Sequence, residues 1–225
     1  YTLWLENLKM FKSIFQLFKI ARKLASSGAV ETVNELYNIP FSIKLFFDFF
    51  SIGSKKKKIQ NYKKPGEKLC DALEGMGTTF IKLGQFLATR PDIIGETLAD
   101  DLIKLQDKLP PFELYESKKI LKKEIGESLY KDIINLSEPI AAASIAQVHI
   151  ANINIDNQIK EVAIKILRPD IEKHFNEELD ALMLFAYIVE SVFAKTKRLK
   201  LVEVVHLLKE ITNIEMDLRF EAAAA

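Results

Sequence analysis

Glycine is scarce in this sequence and is absent from everything after Gly126. The 225 residues include eight glycines in all. Loops that cover phosphate groups usually contain glycine, because its backbone approaches the phosphates more closely than that of other residues. An ordinary glycine-rich nucleotide loop is therefore excluded from residues 127–225.

Cysteine and histidine are also rare. The single Cys70 excludes an internal disulfide framework and favours a reducing compartment. The three histidines, His149, His174 and His206, lie 25 and 32 residues apart, which is not metal-ligand spacing. His149 falls at a strand position, and we interpret it as a hydrogen-bonded structural histidine. No metal-binding residues are predicted.

No apolar run in residues 1–54 is long enough to span a membrane. Residues 3–24 have helical periodicity and residues 39–52 are rich in phenylalanine, but charged side chains interrupt both segments, namely Lys12, Lys19, Lys44 and Asp48. A membrane-spanning helix needs about 20 apolar residues. We therefore predict an amphipathic helical segment over residues 1–54. Two interpretations stay open: a helical hairpin packed on the body or used as an oligomer contact, and an interfacial membrane anchor.

Positive charge is concentrated at the N-terminal end. Residues 1–68 contain 13 Lys and Arg against 5 Asp and Glu, and the remaining residues contain 19 against 26. We interpret residues 55–68 as a basic linker with seven lysines, which are Lys55, Lys56, Lys57, Lys58, Lys63, Lys64 and Lys68. Such a cluster favours an anionic membrane surface as partner. Nucleic acid is not predicted, because only Tyr62 accompanies the lysines and no nucleic-acid-binding fold surrounds them.

Residues 69–135 are predicted to form a helical extension. Apolar side chains recur there at three- and four-residue steps, prolines interrupt the pattern, and Gly126 ends the last helix. Lys82 and Gln85 are three residues apart and share one helix face. Gly84 lowers helix propensity by about 1 kcal/mol relative to alanine, which indicates that another backbone passes close to it.

The part that begins near residue 136 contains predicted strands. Residues 145–153 and 162–166 have strand character, with a hairpin turn at 154–158. The tetrapeptide Val162-Ala163-Ile164-Lys165 resembles the third strand of a protein-kinase nucleotide lobe, where the lysine binds the α- and β-phosphates. The phosphate-covering loop of such a lobe corresponds to Ala141, Ala142, Ala143 and Ser144. Because alanine disfavours positive φ, this loop is expected to be stiffer than a glycine loop.

The last helix is predicted over residues 202–221, and a kinase-like lobe needs a glutamate from it to pair with the strand lysine. The acidic candidates are Glu210, Glu215, Asp217 and Glu221. Residues two apart on a regular helix diverge by about 200°, so Glu215 and Asp217 are not expected to face one partner.

Four motifs together resemble the UbiB family of atypical protein-kinase-like ATPases. They are Lys-Leu-Gly-Gln at 82–85, the alanine-rich loop at 141–144, Val-Ala-Ile-Lys at 162–165 and Glu-Met-Asp at 215–217, in the family's order. The resemblance covers about residues 66–221. It implies that Glu221 pairs with Lys165, and that the helix carrying Lys82, Gly84 and Gln85 lies over the nucleotide cleft and faces Glu215 and Asp217. Ala224 departs from the asparagine that is usual in the family.

The fold implied by the resemblance is α+β: a helical extension, then a protein-kinase-like N-lobe at 136–225 with a small antiparallel sheet and an αC-type helix, the C-lobe being absent. The implied function is an atypical kinase or ATPase that uses ATP and Mg²⁺ and supports ubiquinone biosynthesis. The implied partners are quinone-biosynthesis enzymes or prenylated lipid precursors. The implied location is peripheral, on the cytoplasmic face of a membrane, and an anchor beyond residue 225 stays an open alternative.

Other functions stay open beside this one. A conventional protein kinase is one alternative, although the missing glycine loop argues against it. A pseudokinase or lipid-binding scaffold without turnover is another. A part in polyprenylphenol hydroxylation has no support from flavin or metal motifs. The sequence contains neither a kinase catalytic loop nor its metal-binding Asp, so we expect a longer protein of which this part alone is inactive.

Overall fold

The computed structural model describes residues 2–37, 41–51, 64–105 and 109–224. The chain forms two compact units. The first comprises Tyr1–Gln106 with His174–Asn213, and the second comprises Asp107–Lys173 with Ile214–Ala225. The basic run at residues 55–58 lies outside the described residues.

The first unit begins with three helices. Helix α1 spans Thr2–Ser27, α2 spans Ala29–Tyr37 and α3 spans Phe41–Ser51. The helices predicted at 3–24 and 39–52 are confirmed, whereas α2 was not predicted. Ala21 and Ala25 of α1 pack with Phe47 of α3 in a buried cluster, and Phe185 covers it. None of the helices in the described ranges is long and apolar enough to cross a membrane.

Four further helices complete the N-terminal part of this unit. They are α4 at Pro65–Met76, α5 at Thr78–Ala88, α6 at Pro91–Ile94 and α7 at Glu96–Leu102. The predicted break at Pro91 is present. A second break was missed: Gly77 has a φ of +102° and separates α4 from α5, because a positive φ cannot continue a right-handed helix.

The second unit contains helix α8 and a three-stranded sheet. Helical structure spans Leu114–Tyr130, but Gly126 inside it has a φ of +80° and marks a kink. The helix therefore breaks at the predicted glycine and then resumes for one turn. Strands β1 (Ile133–Ala142), β2 (Ala146–Ile155) and β3 (Gln158–Leu167) form an antiparallel sheet in the order β1-β2-β3.

The β2–β3 hairpin has the predicted turn. Ile155 pairs with Gln158, so only Asp156 and Asn157 lie between the strands. Both have positive φ, at 51° and 61°. This is the type I′ conformation that suits the right-handed twist of a two-residue hairpin. Aspartate and asparagine tolerate it better than most residues.

The chain then returns to helix. Helix α9 spans Ile171–Val192, a 3-10 helix spans Ala194–Leu199, α10 spans Leu201–Met216 and α11 spans Leu218–Ala224. The single helix predicted over residues 202–221 is wrong, because it is interrupted at Asp217. The fold class is confirmed: the protein is α+β, with many helices and one small antiparallel sheet.

Candidate functional site

An ion pair joins the third strand to the last helix of the second unit. Lys165 Nζ of β3 lies 2.5 Å from Glu221 Oε2 of α11. Ile164 and Ile166 point to the opposite face of the strand, as alternation requires. The Lys165 side chain is 32% exposed and that of Glu221 is 60% exposed. Water therefore screens the pair, and its geometry matters more than its contribution to stability, which for exposed pairs is about 0–1 kcal/mol.

Asp217 determines where Glu221 can point. Its Oδ1 accepts a hydrogen bond from the backbone N–H of Arg219 at 3.2 Å, as an N-cap carboxylate does. The Phe220 N–H donates to the Asp217 carbonyl at 3.1 Å, so α11 starts afresh after α10. The Arg219 guanidinium also binds both carboxylate oxygens, at 2.7 and 2.5 Å. This pairing lowers the pKa of Asp217 below its ordinary value.

The alanine-rich segment connects β1 to β2. Ala141 and Ala142 end β1, and Ala142 pairs with Gln147. The Ala143 N–H donates to the Ala146 carbonyl at 2.8 Å, which closes the turn. None of residues 141–144 has a positive φ. The backbone therefore stays out of the positive-φ region, whereas the expected stiffness of the loop stays a prediction. Ser144, the last residue of the loop, is fully buried.

Arg168, which directly follows β3, holds the same loop. Its Nε and Nη2 donate to the Ala143 carbonyl at 3.0 and 2.8 Å, and Nη2 also donates to the Pro110 carbonyl at 3.0 Å. The contacts span 25 and 58 residues, and no local pattern signals them.

A buried polar network lies beside the loop. The Gln147 amide exchanges hydrogen bonds with the backbone of Phe112: Oε1 accepts from N–H at 2.9 Å and Nε2 donates to the carbonyl at 3.1 Å. His149 Nδ1 lies 2.8 Å from the Ser137 carbonyl, so Nδ1 carries the proton and Nε2, 3.1 Å from Gln147 Nε2, accepts. The prediction that His149 is structural is confirmed.

A cleft of about 860 Å³ adjoins Lys165 in the second unit. It lies between α8, the end of β3 and the junction of α10 with α11. Its apolar lining consists mainly of Ile120, Ile125, Ile164, Ile166, Met216 and Leu218. None of residues 141–144 lines it, so this cleft is separate from the alanine-rich loop.

The residues of the predicted extension lie in different units. Lys82, Gly84 and Gln85 belong to α5 of the first unit, whereas Glu215 and Asp217 belong to the second. Their pairing across the nucleotide cleft stays a prediction. The reason inferred for Gly84 is wrong in part: a Cβ there would lie 2.8 Å from Leu73 Cδ1 and closer still to Leu105 Cδ1. Apolar side chains, rather than a backbone, approach this glycine.

The sheet and the ion pair define the class of the second unit. A lysine on the third strand of an antiparallel sheet, paired with a glutamate on a later helix, is the arrangement of a protein-kinase-like N-lobe. The sequence model of the ABC1 atypical kinase-like domain matches residues 104–225. That is more than half of the chain, and the chain belongs to this family.

Curated relatives agree with the family. The chain is 38% identical over 161 residues to "Probable protein kinase UbiB" of Marinobacter nauticus, covering 71% of this chain and 29% of the relative. It is 39% identical over 170 residues to the protein of that name from Vibrio parahaemolyticus, covering 75% and 31%. The predicted resemblance to UbiB proteins is therefore confirmed, and the chain spans less than a third of these relatives' length. No solved structure gave a significant match.

Proposed function

We propose that the full-length protein is an atypical kinase or ATPase that binds Mg-ATP at Lys165 and supports ubiquinone biosynthesis. The ion pair between Lys165 and Glu221 carries the proposal. A carboxylate at 2.5 Å holds the Lys165 ammonium in one position, from which it can neutralise the α- and β-phosphates of a bound nucleotide.

The surface around Lys165 suits a nucleotide. Ala163 lies on the same face of β3 and is exposed. Val148 and Ile150 of β2 lie directly opposite Lys165 and Ala163 in the register, and both are half-buried. An apolar strand face next to a cation offers a place for the base beside a place for the phosphates.

Magnesium would reach this site with the phosphates. In the described part of the chain, no three His, Cys, Asp or Glu side chains converge to hold a metal ion. Mg²⁺ in kinase sites is bound by few carboxylates together with substrate phosphates, and it neutralises charge on them.

The proposed role in ubiquinone biosynthesis rests on the UbiB resemblance. Under this proposal, the protein serves quinone-biosynthesis enzymes or prenylated lipid precursors. Residues 1–225 alone would be inactive, because the catalytic loop of a kinase-like fold belongs to the C-lobe. A conventional kinase is less favoured, since the alanine-rich loop replaces the glycine loop.

Replacement of Lys165 tests nucleotide binding. We expect Lys165→Met in the full-length protein to weaken ATP binding at least tenfold by calorimetric titration, because the phosphates lose their counter-charge. Glu221→Gln should weaken it less. Lys160→Met, at the exposed start of β3, is the matched control and should bind like the parent. Equal affinity of Lys165→Met and the parent would reject the nucleotide site and favour the scaffold alternative.

We also propose that the first unit docks peripherally on the cytoplasmic face of a membrane. Helices α1 and α3 each bury one face and expose aromatic side chains on another, with Phe15 60%, Phe41 77% and Phe49 66% exposed. Lys19 lies over the Phe15 ring, with 4.7 Å from Nζ to the ring centroid. Exposed aromatic rings flanked by basic side chains are typical of helices that lie in an anionic lipid interface.

Vesicle binding tests this docking. Full-length protein should sediment with vesicles that contain anionic lipid, and less so as salt rises. A triple variant, Phe15→Ser with Phe41→Ser and Phe49→Ser, should lose the binding to vesicles. The control Tyr115→Ser, at an exposed position in the second unit, should bind like the parent. Equal binding of parent and triple variant would instead leave the helical hairpin as the interpretation.

A further inference from the structure

The alanine-rich loop is connected to a brace, which we define as residues 110–117, where the chain enters α8. The brace meets the loop through two side chains, Gln147 of β2 and Arg168, which directly follows β3. Both belong to the same unit as the loop and the brace.

Arg168 forms the first connection. Its guanidinium spans two backbone carbonyls, one in the loop at Ala143 and one in the brace at Pro110. The guanidinium carbon also lies 5.8 Å from the centre of the Phe112 ring, within the range of a cation–π contact. Its backbone N–H donates to the Ile145 carbonyl at 2.9 Å, which fixes the arginine to the base of the loop.

Gln147 forms the second connection. It stands opposite Ala142 where β2 begins and is 1% exposed. Besides binding both backbone groups of Phe112, its Nε2 donates to Ser117 Oγ at 2.8 Å. The brace is therefore held to the first residues of β2 as well as to the loop itself.

The direction of the Ala143 carbonyl explains why these contacts matter. A loop that covers phosphates must present N–H groups to them and turn its carbonyl oxygens away, because a carbonyl oxygen repels an anion. In a glycine loop this orientation is adopted on binding. Here the Arg168 guanidinium already holds the carbonyl, through charge-assisted hydrogen bonds that are stronger than neutral ones.

We infer that Arg168 is a positioning residue for nucleotide binding: with the 110–117 brace, it holds the alanine-rich loop in the orientation that receives phosphates. This inference rests on the proposed function. It assigns no contact between Arg168 and the nucleotide. Because Arg168 already holds the loop, less conformational entropy is lost when the nucleotide binds.

The test compares ATP with adenosine in the full-length protein. Adenosine lacks phosphates, so a loop that acts on phosphates affects ATP and not adenosine. We expect Arg168→Gln to weaken ATP binding about tenfold, or about 1.4 kcal/mol, because the released loop must then be ordered on binding. Adenosine binding should stay within about twofold of the parent. Arg168→Lys should recover only part of the ATP affinity, since one ammonium is less able than a guanidinium to hold both carbonyls.

Two further variants complete the design. Phe112→Leu removes the ring beside the guanidinium but no backbone hydrogen bond, and should weaken ATP binding in the same direction by a smaller factor. Arg198→Gln, an exposed arginine in the first unit, is the matched control and should bind both ligands like the parent. Hydrogen exchange at residues 143–146 should become faster in Arg168→Gln and stay unchanged in the control.

The outcomes separate the inference from the proposed function. If the parent binds ATP and Arg168→Gln binds it equally well, the positioning role is wrong and the nucleotide site stands. If ATP and adenosine weaken by the same factor, Arg168 is structural only, and the inference again fails. A parent that binds no ATP overturns the proposed function, and the nucleotide role of Arg168 with it.

Discussion

Replacing Gly66 by alanine should destabilise the helical first unit, because Gly66 of α4 lies directly against the Asp101 side chain of α7. A Cβ built there would lie 2.6 Å from Asp101 Cγ and nearer still to its Cβ. The clash involves the Cβ of Asp101, which does not move when the side chain rotates. Overpacking of this kind costs about 1–3 kcal/mol, and the gain in helix propensity offsets at most about 1 kcal/mol of it.

We therefore expect a net loss of about 1–2 kcal/mol, or a melting temperature lower by about 2–8 °C for a unit of this size. Thermal unfolding of the purified protein measures it. In the double variant Gly66→Ala with Asp101→Gly, the glycine makes room for the new methyl group. Its loss of unfolding free energy should therefore be smaller than the sum of the losses in the two single variants. Strict additivity, or an unchanged melting temperature in Gly66→Ala, would refute the packing argument.

Three other predictions follow from particular residues. Ala143→Gly should change ATP affinity in titrations, because glycine reaches conformations that alanine avoids; equal dissociation constants would contradict it. Burial raises the pKa of the Cys70 thiol to about 11, so iodoacetamide should react slowly with it at pH 8, and alkylation as fast as in unfolded protein would contradict this. The stability that the buried thiol contributes should be complete below its ordinary pKa of about 9 and lost as pH rises towards 11. The family resemblance implies that the helix carrying Lys82 lies over the nucleotide cleft, so Lys82→His should displace it and permit phosphate transfer onto the protein itself under Mg-ATP. Absence of new phosphorylation would contradict an inhibitory role for this helix.

Local sequence patterns predicted those parts of the fold that depend on local chemistry. The β2–β3 turn at Asp156 and Asn157 was predictable because few residues other than glycine tolerate positive φ. The strand position of Lys165 followed from alternation with Ile164 and Ile166. The pairing of Lys165 with Glu221 spans 56 residues, and only the family resemblance indicated it.

The features that were missed depend on tertiary contacts or on competing local signals. No proline or glycine falls within residues 202–221, so the sequence does not mark a break in the predicted helix. The interruption comes from Asp217, whose carboxylate binds the Arg219 side chain and backbone N–H and starts a new helix. Aspartate occurs both inside helices and at their N-caps, and periodicity alone does not distinguish these cases.

Alanine in the loop that is proposed to cover the phosphates changes what the rest of the lobe must supply. Glycine gives a loop many conformations, and binding must select one of them at an entropic cost. Alanine removes some of these conformations in advance, and Arg168 fixes the carbonyl of one that remains. A loop restricted in this way loses less entropy on binding, but it tolerates fewer ligand shapes. Contacts outside the loop, from the 110–117 brace and from Arg168, therefore become part of what determines nucleotide affinity in the proposed function.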